Sequence, residues 1–286
     1  MSVDLAAAAS FLATHGRILD RRRFEDEPAA ILAAVDAYRN ADGGYGWGME
    51  PDLRSPESQP GGALHAFEAM AEAAPLTTPH AVALCDWLLD VTLPDGGLPF
   101  ALPVGGEAGV APFWAAWDPS RSSLQITAYV AEAALRVARF DDAVAAHPWL
   151  ERASSFCLAA IDALDEAPHA LVLVAAARFA DAVGDAARAL ERLGALIPRD
   201  GTLHVAGGAE DEMVRPLDFA PFPDRPARAL LDPDAVRADL DRLAAGQQDD
   251  GGWRVDYASY SPAAALEWRG YATVRAVAVL RANGVV

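Results

Sequence analysis

With 286 residues, 52% of them hydrophobic, the chain has enough apolar material to bury a core of its own. Its formal net charge of -18, from 41 acidic and 23 basic residues, excludes nucleic acid as the main partner and disfavours an anionic membrane surface, because no surplus of Lys and Arg is available to replace phosphate counterions. No stretch is long and apolar enough to span a bilayer. The run Ala6 to Phe11 is preceded by Asp4 and followed by Arg21-Arg22-Arg23, the wrong order for a signal peptide, so a cytoplasmic protein is expected.

Helical periodicity predicts helices near 4–15, 27–40, 60–73, 78–92, 121–138, 147–163, 168–183, 185–197, 232–246 and 262–283, and supports no strands. The second of these repeats apolar residues at Ile31, Val35 and Tyr38. It ends in Asn40-Ala-Asp42-Gly-Gly-Tyr45-Gly-Trp47. Similar stops recur at Asp95-Gly-Gly, Asp200-Gly and Asp250-Gly-Gly-Trp253, roughly every fifty residues, with room for one degenerate copy between Asp95 and Asp200. Glycine there can take the left-handed conformation that ends a helix, and Asp accepts backbone N–H groups of the turn.

Beyond the first stop, Trp47-Gly-Met-Glu50-Pro-Asp52-Leu-Arg54 precedes a helix that carries His65 and Glu68. Glu50 and Asp52 are candidate catalytic carboxylates, Arg54 an anion clamp, and Trp47 and His65 substrate contacts. The competing role for Arg54 is a salt bridge that ties the loop down. The helix over 78–92 carries Cys85 and that over 147–163 carries Cys157. Neither has metal-ligand spacing, so both read as buried free thiols of a reducing compartment.

Two connections, 94–120 and 199–231, are long and rich in Gly and Pro, as expected of lids or pocket walls on one face. The first holds Phe113, Trp114 and Trp117, aromatic faces that can stabilise a cation, stack on a sugar or simply pack. The second holds Glu210-Asp211-Glu212 and Asp218. If these face an enclosed pocket, repulsion and desolvation would raise a pKa and create a general acid, for which Asp211 is the preferred residue, with Glu212 and Asp218 as substrate contacts. Near the C-terminus, Asp256-Tyr257 and Glu267-Trp268-Arg269 add further contacts, Glu267 and Arg269 being equally suited to internal ion pairs.

Helices that end in a stop alternate with helices that begin after Pro or Ser, which implies an outer and an inner layer closing around a cavity. Gln247-Gln-Asp-Asp250-Gly-Gly-Trp253, preceded by the helix from Val236 to Leu243, resembles the Gln-and-Trp repeat of squalene and terpene cyclases and of protein prenyltransferase β subunits, and Asn40 to Trp47 resembles a weaker copy. The resemblance implies an all-α fold, an α/α toroid of about five to six hairpins spanning 1–286 as a single domain. It also implies a terpene-cyclase-like or prenyltransferase-like enzyme acting on an isoprenoid or other hydrophobic small molecule. The Asp-x-Asp-Asp run of those cyclases and the Asp-x-Cys pair of the zinc transferases are missing, so no metal and no cofactor is expected. Two alternatives stand beside this: a carbohydrate-active hydrolase or lyase pairing Glu50 or Asp52 with Asp211 on a sugar-like substrate, and a non-catalytic toroid that binds a ligand or serves as a scaffold. Neither a partner protein nor an oligomeric state is indicated.

Overall fold

The structure is a computed structural model and describes residues 3–106 and 108–286. Among the described residues the chain is mostly helical, as expected, with α1 (Leu5–His15), α2 (Ile18–Glu25), α3 (Pro28–Val35), α4 (Pro60–Glu72), α5 (Pro79–Val91), α6 (Pro112–Ala115), α7 (Leu124–Val137), α8 (Asp142–Ala145), α9 (Pro148–Asp162), α10 (Ala170–Ala182), α11 (Ala187–Leu196), α12 (Pro216–Phe219), α13 (Pro233–Ala245) and α14 (Pro262–Ala282). Start signals written in the sequence set many of these. Proline occupies the first turn of α3, α4, α5, α9, α13 and α14, where its missing N–H costs no hydrogen bond. Asp4, Thr78, Ser123, Asp232 and Ser261 accept the orphan N–H groups of the helices they precede.

Several elements depart from expectation, among them the one-turn helices α6, α8 and α12, which lie where the periodicity predicts no helix. A two-residue antiparallel pair, Leu203–His204 against Met213–Val214, lies in the 199–231 connection, where no strand was predicted. Helix α2 was also not predicted, because it has almost no apolar stripe. It is held by buried charge instead: Arg17 pairs with fully buried Asp20 at 3.1 Å, and Arg23 makes two 2.7 Å bonds to Glu72 of α4.

Helix α4 packs on α7, α7 on α10 and α10 on α12, and the first three of these are buried along most of their length. Outside them α5 packs on α9 and α9 on α11. Helix α14 packs on α13, α1 and α2, so the two ends of the chain meet. Gln247 joins them: its amide accepts from the Asp4 N–H at 2.8 Å and donates to the Asp4 carbonyl at 2.7 Å and the Gly251 carbonyl at 3.0 Å.

The stops are structural repeats. Asp42, Asp95, Asp200 and Asp250 each accept the N–H two residues on, at 3.0 to 3.2 Å, and the glycine after each has positive φ. In three of them the second glycine lies under an aromatic ring. A Cβ on Gly44, Gly97 or Gly252 would come within 2.7 or 2.8 Å of Trp87, Phe156 or Phe11. The connection between α9 and α10, where the degenerate copy was expected, contains Asp165 but no glycine.

Candidate functional site

A buried polar network is built from the first stop and α4. Gly62 lets α4 lie against the Tyr45 carbonyl, which a Cβ would approach to 2.3 Å, and His65 and Glu68 follow one and two turns later on the same helix. The Gly48–Leu53 turn brings Glu50 over the imidazole. His65 Nε2 lies 3.1 Å from Glu50 and Nδ1 lies 2.9 Å from Glu68, and all three side chains are buried. Burial alone would lower the His65 pKa, but hydrogen bonds to the two carboxylates overcome it and push it up to about 9. Burial would likewise raise Glu68, yet the His65 hydrogen bond and the Arg23 charge hold it far below the usual carboxylate range. The group is therefore an imidazolium donating from both nitrogens, edge-on to Trp268 at 5.9 Å and Tyr271 at 5.3 Å. Asp52 closes the network on its other side. One oxygen accepts the Tyr260 N–H at 2.8 Å and the other the Trp268 indole N–H at 2.7 Å. Burial raises its pKa against both hydrogen bonds.

The Tyr271 hydroxyl donates to Glu68 at 2.9 Å, and the same residue lines a cavity of about 420 Å³ between α7, α10, α12, α13 and α14. Tyr129, Trp253 and Tyr257 supply further aromatic surface, and Glu212, Asp218, Asp239 and Asp256 line it together with Arg215, Arg242, Arg254 and Arg275. Two of the carboxyls differ sharply in setting. Asp218 is ion-paired to Arg275 at 2.9 Å and accepts the Arg215 N–H at 2.9 Å. Asp256 has Arg215 no nearer than 3.9 Å, and burial, reinforced by the Asp218 charge, raises its pKa.

The predicted residues thus divide. Glu50, Asp52, His65 and Trp268 meet in the network, while Glu212, Asp218, Asp256 and Tyr257 meet in the cavity. Asp211 does neither: it sits exposed at the tip of the hairpin, and only the next residue, Glu212, turns back to the cavity wall. The pairing of Asp211 with Glu50 or Asp52 is therefore not formed. Trp47 is 60% exposed and bonded to Asn40, not to a pocket. Arg54 pairs with Glu267 at 2.6 Å, the loop-tying role, and Arg269 pairs with Asp250 at 2.7 Å and covers the Phe11 ring at 4.5 Å. Trp114 stacks on Phe100 at 4.4 Å within an apolar cluster that Trp117 also joins, so both are packing residues. The 199–231 segment walls the cavity as expected, whereas no residue of 94–120 lines it.

Tyr129, Tyr271 and Arg275 were missed as site residues. Their one signal in the sequence is spacing, with Glu267, Tyr271 and Arg275 at i+4 intervals on α14. Among the described residues no group of three or more His, Cys, Asp and Glu side chains is placed to hold a metal, and no helix is long and apolar enough to cross a membrane. No family model and no curated protein matches the chain.

Proposed function

We propose that the chain is an enzyme of α/α toroid architecture acting on a polar, sugar-like small molecule in the 420 Å³ cavity, with Asp256 as general acid and the Arg275-paired Asp218 as its partner. The observation that carries this is one cavity holding two carboxyls in different settings: burial and the neighbouring Asp218 charge raise the pKa of Asp256, while Asp218 is ion-paired to Arg275 at 2.9 Å. In cleavage of a glycosidic bond, Asp256 would give its proton to the departing oxygen while Asp218 activates water or attacks the sugar carbon. Carboxylates and guanidinium groups bond hydroxyls, and the faces of Tyr257, Tyr271 and Trp253 suit a sugar ring. Network residues Glu50, His65 and Glu68 then position Tyr271, and Asp52 positions Trp268; they do not touch substrate.

The isoprenoid expectation draws support from the same aromatic rings. It is the weaker of the two, because a hydrocarbon chain would strip water from four arginines and four carboxylates without replacing their hydrogen bonds.

The test is a melting-temperature screen of oligosaccharides and aryl glycosides against prenyl diphosphates, followed by turnover assays on Asp256→Asn and Asp218→Asn. A glycoside should raise the melting temperature and be cleaved, with Asp256→Asn losing about 10²- to 10⁴-fold in kcat. Stabilisation by prenyl diphosphates alone would overturn the substrate class. An unchanged kcat in Asp256→Asn would overturn the acid.

A further inference from the structure

A second cavity of about 270 Å³ shares no residue with the first. It lies at the C-terminal ends of α7 and α10 and is lined by Arg136, Arg139, Arg178 and Arg225, with Pro221 and Phe222 forming an apolar side. Only two carboxylates face these four guanidinium groups. Glu132 is shared between Arg136 at 3.3 Å and Arg178 at 3.7 Å, and Asp181 is taken by Arg225 at 3.0 Å and by the Ala227 N–H at 2.7 Å. Arg139 has no carboxylate within 4.0 Å among the described residues. Partial desolvation and the like charges of Arg225 and Arg136 pull it below its ordinary value. The 3.3 Å contact of Arg136 Nε to Glu132 falls outside hydrogen-bond geometry, and Glu132 Oε2 likewise has no hydrogen-bond partner among the described residues.

Among the residues that line this pocket, four guanidinium groups thus crowd around two carboxylates in a chain whose net charge is -18, with Glu68 and Glu72 acting on Arg136 from outside it. Crowding like charges costs free energy unless an anion joins them. The helix dipole does not account for the cluster. Arg136 lies in the last turn of α7 and complements its carbonyls, but Arg139 lies beyond that helix and Arg225 outside any α-helix. Planar guanidinium groups at several angles match a tetrahedral oxyanion through paired N–H donors. Pro221 and Phe222 offer a surface for an organic group attached to it.

We infer that this pocket is a binding site for a phosphoryl group, carried as free phosphate or as a small phosphate monoester, separate from the carboxylate cavity. Isothermal titration of the full chain at low ionic strength, with inorganic phosphate and with phenyl phosphate, tests it. One saturable site is expected. Arg139→Ala should weaken it about tenfold or more and Arg139→Glu should abolish it, since each removes a charge-assisted donor pair. Arg139 is exposed and makes no side-chain hydrogen bond or salt bridge among the described residues, so both variants should melt as the wild type does. Arg188→Ala, which removes an equal charge from an exposed pair with Asp162, should bind normally. Tighter binding of phenyl phosphate than of phosphate identifies an ester as the ligand; equal binding identifies free phosphate. No saturable binding to the wild type, undiminished binding by folded Arg139→Glu, or the same loss in Arg188→Ala would each overturn the site.

Discussion

Replacing His65 with Gln should flatten the dependence of stability on alkaline pH. The imidazole has an ordinary pKa of 6.5 and is pushed to about 9 between Glu50 and Glu68. A group whose pKa is higher folded than unfolded lends its full stabilisation below the unfolded value and loses it as pH rises through the folded one. The window is therefore 6.5 to 9. At about 1.4 kcal/mol for each pH unit crossed, the part lost between pH 6.5 and 8.5 is on the order of 2 kcal/mol. For a chain of this size that is about 4 to 8 °C of melting temperature. Ionisation of cysteine on unfolding begins near the top of this range, so the informative quantity is the wild-type slope minus that of His65→Gln, taken by thermal denaturation from pH 6.5 to 8.5. His65→Gln should be less stable than the wild type at pH 6.5, and the two should converge toward pH 8.5. Parallel curves would mean that His65 is not a doubly bonded imidazolium in the folded state.

Gly251→Ala should destabilise the chain by more than ~1 kcal/mol, because φ is +91° there and the added Cβ would lie 2.2 Å from the Ala7 carbonyl oxygen. Hydrogen exchange should show α1 loosening first; an unchanged melt would refute the close packing of the two chain ends. Cys85 and Cys157 are fully buried free thiols, and burial pushes Cys85 up to about 12 and Cys157 higher still. Neither should react with a thiol reagent faster than the chain unfolds, and rapid labelling of one in native buffer would refute its burial.

The parts of the molecule legible in sequence are those specified by neighbours in the chain. Each Asp-Gly stop reads correctly because the Asp side chain and the N–H it binds are two residues apart, and the helix starts read correctly because proline and the capping residue act within one turn. Helix α2 escaped because its buried face joins a single leucine, Leu19, to Asp20 and Arg23, and charge at helical spacing looks like a solvated surface until its partners, Arg17 and Glu72, are seen. The same blindness misplaced the acid. Glu210-Asp211-Glu212 drew notice as a dense cluster, but density along the chain says nothing of enclosure, and a two-residue ladder turns Asp211 outward while Glu212 turns in.

What encloses the cavity is contact over long separations. Asp52 to Trp268 spans 216 residues, Glu68 to Tyr271 spans 203 and Asp4 to Gln247 spans 243, so each joins the beginning of the chain to its last quarter. The first two of these bonds end on α14, as does the Asp218 to Arg275 pair that sets one carboxyl of the proposed couple. The polar groups at the centre therefore have two roles. Asp52 and Glu68 are buried carboxylates that would be costly unpaired, and α14 supplies one partner to each, the Trp268 indole N–H and the Tyr271 hydroxyl, beside those drawn from nearer elements. A molecule whose final helix is not docked would keep His65 between Glu50 and Glu68 but lose the Trp268 and Tyr271 bonds and the α14 wall of the cavity, which ties the shape of the cavity to closure of the chain ends.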